Sequence, residues 1–259
     1  MTSQTNRPRL GWVVDVQFDF MTPPDQGGRL YVRHLDDPAD VGATQVIPAL
    51  ERTVAWLHDN TDAVVFTGDW HTDDDREIDR DQPNFRDTYP AHCMGAGSRS
   101  EERPGAELIP TVAPRDPVVV IDRDATAATA DRAATHAAAG GTVMIQKREF
   151  SVFVGQEQTD RFLEGLTRAF GARPEIVVCG VATDVCVRMA VEGFLDRGYT
   201  VTVVRDAVWG LGIQPDEALF AAWSARGAHI TTLADLEKQV GREHQKTTMS
   251  KLETNAGGR

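Results

Sequence analysis

The sequence predicts a Rossmann-like α/β fold, an open and mainly parallel sheet with helices on both faces. Three observations carry this. Short apolar runs rich in β-branched residues recur along the chain, Gly, Asp or Pro bounds each run, and stretches with helical spacing separate them. Continuously apolar strands suit a parallel sheet covered on both sides. Their alternation with helices suits crossover connections.

Taken in order, Leu10–Val16, Ala63–Thr67, Val118–Ile121, Thr142–Gln146, Ile176–Gly180 and Thr200–Val204 are predicted as buried strands, with a last short one at Ala228–Thr231. Helical stripes fall at Val46, Leu50, Val54 and Leu57, and at Phe162, Leu163, Leu166 and Phe170. Further stripes fall at Val187, Ala190, Val191 and Phe194, and at Ala218, Leu219, Ala222 and Trp223. Two regions break the rhythm. Asp69 to Pro114 is rich in charge, Gly and Pro and too long for a passive connection, which reads as a functional loop system. Ala125–Gly141 is rich in Ala and Thr, and its pattern fits an exposed helix and a poorly packed insertion equally well. One domain is expected over 10–240, between a flexible N-terminus at 1–9 and a flexible tail at 241–259.

Composition bounds the function. With 259 residues, 41% hydrophobic and 25% charged, the chain suits one large soluble domain. A net charge of -12 repels phosphate backbones, so no nucleic-acid partner is expected. No apolar run approaches the roughly 18 residues of a membrane span, and polar Met1–Arg9 does not read as a signal peptide. Three cysteines without a framework spacing point to free thiols and a cytoplasmic location.

In open α/β sheets, ligands bind beyond the carboxyl ends of the strands. Here those ends supply Asp15, Asp69 with His71, Lys147 and Cys186. A strand, then Gly180 to Cys186, then an amphipathic stretch puts the thiol in a helix's first turn. The unpaired N–H groups and helix dipole there favour a thiolate and can hold an oxyanion. Cys93 and Cys179 read as small buried hydrophobes. Asp15 can accept the thiol proton and deliver it to a leaving amine, and Lys147 can pair with both groups. Asp69, His71, Glu77 and His92 offer oxygen and imidazole ligands for one divalent ion such as Zn, Fe or Mn, although Asp73, Asp74, Asp75, Asp79 and Asp81 give the same segment the look of a solvated acidic loop.

Together these residues resemble the nicotinamidases of the isochorismatase-like cysteine hydrolase superfamily. Gly180-Val181-Ala182-Thr183-Asp184-Val185-Cys186-Val187 is similar to the family's nucleophile turn, and Asp15-Val16-Gln17-Phe18-Asp19-Phe20 to its first motif. Lys147 with Phe150-Ser151-Val152-Phe153 resembles the lysine motif. Asp69-Trp70-His71 and Tyr89-Pro90-Ala91-His92-Cys93 resemble the ends of the metal loop, and Pro104-Gly105-Ala106-Glu107-Leu108 the segment that follows. The resemblance runs from Leu10 to Leu236 in the family's order. It implies hydrolysis of nicotinamide to nicotinate and ammonia through a thioester, in pyridine nucleotide salvage. It implies a triad of Asp15, Lys147 and Cys186, and an oxyanion hole at the N–H groups of Ala182 and Cys186 beside a cis Val181–Ala182 peptide. It also implies pyridine walls at Phe20 and Tyr89, and a metal that takes the ring nitrogen.

Three departures stand out. Glu77 occupies a place where many relatives carry a histidine, Gly95 to Arg103 enlarges the loop beside the expected pocket, and Pro114–Gly141 is long enough for a lid or an oligomer contact. A homo-oligomer is the expected assembly. Two other readings compete: a related amidohydrolase acting on a carbamoyl, ureido or other small amide, and a non-catalytic binding protein of the same fold. The metal-type residues favour nicotinamide over the first, and the complete triad disfavours the second. Cys179 and Cys186 lack the spacing of a redox pair.

Overall fold

The computed structural model of the protein describes residues 7–97, 99–114 and 117–239. The chain forms strands β1 (Arg9–Val14), β2 (Ala63–Asp69), β3 (Val118–Ile121), β4 (Thr142–Lys147), β5 (Glu175–Val181), β6 (Thr200–Trp209) and β7 (His229–Thr231). Its helices are α1 (Phe18–Met21), α2 (Ile47–Asn60), α3 (Ala127–Ala138), α4 (Val152–Gly155), α5 (Thr159–Phe170), α6 (Arg188–Asp196) and α7 (Asp216–Ala225). The strands make one seven-stranded sheet in the order β3-β4-β2-β1-β5-β6-β7. Every pairing is parallel.

Alternation along each strand divides the core. Leu10, Trp12 and Val14 of β1 face one side with Val65, Val143, Ile145, Ile176 and Val178, under α3, α5, α6 and α7. Val13, Val64, Phe66, Met144 and Val177 face the other, under α2, α1 and the loops around Cys93 and Ile109. Helix α5 buries Phe162, Leu163 and Leu166, and α6 buries Ala190, Val191 and Phe194. Trp12 meets the edge of Phe194 at 4.8 Å between ring centroids. Removing either ring would leave a cavity in this layer at a cost of about 3–5 kcal/mol.

Several expectations need correction. The Ala-rich stretch is a packed helix: α3 buries Ala130, Ala133, Ala134 and Ala137 against the sheet and α5. A Cβ on Gly165 of α5 would lie 2.8 Å from Ala134 Cβ, so small residues on both helices set their close approach. The described residues of the Pro114–Gly141 segment thus form β3 and α3, part of the fold's body. In α7 the buried stripe is Leu219, Phe220 and Trp223, while Ala218 and Ala222 are exposed. The larger rings take the core side. Helical structure at 233–239, which no periodicity suggested, covers the α2 side through Leu233 and Leu236. Residues 1–6 and 240–259, which hold most of the expected arm and all of the expected tail, lie outside the described residues. Pro8 and Arg9 join the sheet, with Pro8 O accepting the Glu175 N–H at 2.8 Å.

From β1 the chain first builds β2, β3 and β4 on one side, then β5, β6 and β7 on the other. Such a reversal opens a crevice at the carboxyl ends of the central strands. Register decides what gathers there. Val14 pairs with both Thr67 and Gly180, and Asp69 pairs with Lys147.

Candidate active site

Asp15 follows the last residue of β1 and takes a left-handed conformation with φ 50°, which Asp tolerates better than most side chains. Thr67 Oγ1 donates to its Oδ1 at 2.7 Å. Lys147 Nζ lies 2.9 Å from Asp15 Oδ2, pairs more closely still with Asp69 Oδ1, and stands 3.8 Å from Cys186 Sγ. Asp15, Asp69 and Cys186 bring one oxygen or sulfur each within 4.8 Å of one another. All four side chains are buried.

Cys186 arrives by a different local structure from the one expected. Gly180 has φ 123°, and a Cβ there would fall 2.1 Å from Val14 O, so only glycine lets β5 run this close to β1. The Val181–Ala182 peptide is cis. Thr183–Val187 then forms a π-helical turn, in which Ala182 O accepts the N–H groups of Val185 and Val187, each at 3.1 Å. Cys186 therefore precedes α6 and does not sit in its first α-helical turn.

Electrostatics also depart from expectation. Burial pushes the Cys186 thiol well up, against the pull of Lys147 and with a further push from the Asp15 carboxylate. Burial also pushes Asp15 up, partly offset by Lys147. Lys147 is lowered by burial, but Asp15 and Asp69 outweigh this and hold its ammonium well above the usual range. The resting arrangement is a protonated thiol beside a carboxylate of raised basicity, where the sequence suggested a thiolate. Burial sets this state first, and the Asp15 and Asp69 carboxylates add to it.

Asp69 links this group to a second one. Its Oδ2 lies 3.8 Å from His71 Nε2 and 4.0 Å from His92 Nε2, and Glu77 Oε2 lies 3.9 Å from His71 Nε2. His92 Nδ1 contacts Pro90 O at 2.7 Å, which turns Nε2 toward Asp69. His71 Nε2 and Glu77 Oε2 are buried with no hydrogen-bond partner. Donor atoms around an ion held at about 2.1 Å stand roughly 3–4 Å apart, so these separations fit a cation better than direct hydrogen bonds. The cluster sets carboxylates and imidazoles close enough to shift one another. Burial lowers His71, but the nearby carboxylates of Asp69, Asp75 and Glu77 outweigh it and raise the ring to about 9. Burial and the Asp69 charge raise Glu77 to about 8, whereas burial and the His71 charge lower His92 to about 4. A divalent metal fits this donor set.

Both groups contribute to a cavity lined by Cys186, Asp69 and His92 and by Phe20, Tyr89, Leu30, Val32, Phe150, Ala182, Val185 and Leu211. Phe20 and Tyr89, expected there from the family resemblance, are both among its walls. None of the described residues of the enlarged Gly95–Arg103 loop lines it. That loop is tied down instead by Glu102, which pairs with Arg80 at 2.7 Å and Arg29 at 3.0 Å. Among residues the sequence reading passed over, Asp184 accepts the N–H groups of Leu211 at 2.9 Å and Ile213 at 2.7 Å, holding one wall of the cavity. Gln17 and Asp75 were passed over as well. Gln17 was visible only as one letter of the first motif, and Asp75 was hidden among its acidic neighbours.

Residues 130–235 match the Isochorismatase domain family. The nicotinamidase of Escherichia coli (strain K12) is 26% identical over 247 residues, covering 90% of this chain and 99% of that protein. Pyrazinamidase of Pyrococcus horikoshii, solved in complex with zinc, superposes with a TM-score of 0.57 at 23% identity over 87% of this chain and 99% of its own. PnC1 of L. infantum, solved in complex with nicotinate, gives 0.60 at 20% identity over 90% and 96%. Among the described residues no helix is long and apolar enough to cross a membrane. With a matching domain, a relative that aligns along its whole length and a parallel sheet that gathers thiol, carboxylate and ammonium at one crevice, the chain is similar to the nicotinamidases and to other proteins of the isochorismatase family.

Proposed function

We propose that the protein hydrolyses nicotinamide to nicotinate and ammonia, with Cys186 as nucleophile, Asp15 as proton carrier and Lys147 as the charge that holds both in place. The observation that carries this reading is the largely apolar cavity whose walls include both Cys186 and two members of the imidazole and carboxylate cluster, Asp69 and His92. A flat ring with one basic nitrogen and one carboxamide matches those two poles.

Cys186 Sγ attacks the amide carbon while its proton passes to Asp15, whose raised basicity favours the transfer. Lys147, 2.9 Å from Asp15 and 3.8 Å from the sulfur, offsets the negative charge that moves between them. The oxyanion turns toward the backbone N–H groups of Ala182 and Cys186, which stabilise developing charge without reorganising. Asp15 returns its proton to the amide nitrogen, the C–N bond breaks and ammonia leaves a thioester on Cys186. Water then gives a proton to Asp15 and attacks the thioester, and the proton returns to sulfur as nicotinate departs. Asp69, His71, Glu77 and His92 would hold the divalent ion, with zinc the first candidate; bound there, it would supply an electrophilic anchor for the ring nitrogen. Phe20 and Tyr89 would wall the ring.

Ammonia release from nicotinamide by the purified protein, compared with Cys186→Ala, tests the reading. Turnover is expected only with the thiol. No release from nicotinamide by active, metal-loaded wild-type protein would overturn the substrate assignment.

A further inference from the structure

Asp75 belongs to a run of three aspartates whose composition suggests a solvated loop. Its side chain is nevertheless only 9% exposed. Asp75 Oδ2 lies 3.2 Å from His71 Nδ1 and accepts the Thr72 N–H at 2.9 Å. Arg123 reaches the same carboxylate from the turn after β3, placing Nη1 2.8 Å from Oδ2 and Nη2 2.9 Å from Oδ1. Nη1 also donates to Trp70 O at 2.7 Å, the backbone immediately before His71. Between β3 and the loop after β2 lies β4, so this side chain spans one intervening strand end.

A two-pronged guanidinium–carboxylate pair is directional and rigid. Held by Arg123 and Thr72, Asp75 has little freedom to turn away, and a hydrogen placed on His71 Nδ1 is directed at it. In the neutral ring that binds a metal, the other nitrogen, Nε2, then presents its lone pair toward Asp69 and Glu77, where it has no hydrogen-bond partner. Neither Asp75 nor Arg123 lines the cavity. Their side-chain hydrogen bonds go to one another, to His71 Nδ1, to the Thr72 N–H and to Trp70 O.

We propose that Arg123 and Asp75 are positioning residues that fix the His71 ring and its tautomer for metal binding, so that the turn after β3 governs how tightly this chain holds its ion. The inference rests on the metal site assigned above to Asp69, His71, Glu77 and His92. It gives a role to the segment between β3 and α3, which the function otherwise leaves unused. A carboxylate behind a ligating imidazole raises its basicity and removes the entropy of ring rotation from the binding step.

The test is zinc titration of metal-stripped full-length protein in competition with a chromophoric chelator, for wild type, Asp75→Ala, Arg123→Gln and Arg123→Lys. Asp75→Ala and Arg123→Gln should weaken zinc binding by about 10–100-fold, the usual size of an outer-partner loss. Arg123→Lys should recover part of the difference, since it keeps the charge and loses the fork. Absorption of the cobalt-substituted protein should shift in the first two variants, a signal that a purely structural contact would leave alone. Melting of the metal-free forms separates folding damage from affinity, and Arg123→Gln carries the test if Asp75→Ala fails to fold. Lower melting temperatures with zinc affinity within about twofold of wild type would overturn the proposal. Wild type that binds no zinc or cobalt would instead overturn the metal site itself.

Discussion

Gln17 and Asp69 exchange two hydrogen bonds: Gln17 Oε1 accepts the Asp69 N–H at 2.7 Å, and Gln17 Nε2 donates to Asp69 O at 2.7 Å. The side chain behaves as a short strand partner at the point where β2 ends. Nε2 donates again to Ala106 O at 2.7 Å, so one amide joins the first motif, the strand end of Asp69 and the segment after the long loop. Gln17 follows Asp15 by two residues and is fully buried. The separation between the two carboxylates that share Lys147 is therefore set partly by this amide.

Gln17→Leu should leave the Asp69 N–H, Asp69 O and Ala106 O without partners in a buried site. Each such group costs about 1–3 kcal/mol, so the loss should reach about 3 kcal/mol or more. Urea denaturation of the two proteins measures it. A stability within about 1 kcal/mol of wild type would show that other groups satisfy these atoms.

Of the three cysteines, only Cys186 lies within reach of Lys147 and Asp15. Cys186→Ala should abolish amide hydrolysis, and Asp15→Asn should be nearly as damaging because the thiol loses its proton acceptor. Cys179→Ala should keep most of the rate. Trapping the thioester by rapid acid quench and mass measurement should add the acyl group to wild type alone. Full activity in Cys186→Ala would exclude covalent catalysis by this residue.

Cys179 supplies a pH signature independent of the site's metal. It lies in β5 with no exposure, and burial pushes its thiol up to about 12. In the unfolded chain the thiol ionises near its ordinary value of about 8.5. Between those values the unfolded state has lost a proton that the native state retains, so stability must fall as pH rises from about 9 toward 12. Cys179→Val removes this contribution. Its stability should therefore decline less steeply over that range, as measured by urea midpoints at stepped pH. Parallel declines would refute the assignment.

The central strands were legible because each is a short apolar run whose burial on both faces needs no distant partner to explain it, whereas the edge strands β3 and β7 are only partly buried. Asp15, Asp69 and Lys147 were legible as strand ends, and parallel register makes their meeting a consequence of that position. The state of Cys186 was not, since it depends first on burial in the folded chain and then on charges brought in from other strands. Alanine carries too little contrast to mark a buried face, and the packing of α3 is decided by Gly165 on another helix. Arg123 and Asp75 are 48 residues apart, and nothing local in either segment points to the other. Asp75 therefore read as one acid among several.

The substrate prediction draws on both poles of the cavity. Nicotinamide should be hydrolysed, pyrazinamide should follow, and benzamide should be much poorer although its carboxamide is the same. Benzamide fills the same apolar space between Phe20 and Tyr89 and loses only the ring nitrogen. That nitrogen is the one atom able to meet the cluster of Asp69, His71 and His92, whose donor atoms lie within 4.8 Å of one another. Without it the ion keeps its water, and the ring has no fixed orientation toward Cys186. Sites built around a polar substrate atom reject the analogue lacking it by up to about 10⁴-fold, and water left on the ion should reduce that figure. The loss should fall on kcat/KM. His71→Ala should narrow the gap between the two amides by slowing nicotinamide, with benzamide little changed. Steady-state kinetics on the three amides with both proteins decides the matter. Equal kcat/KM values in the wild type would remove the ring nitrogen from recognition and leave the cysteine chemistry standing.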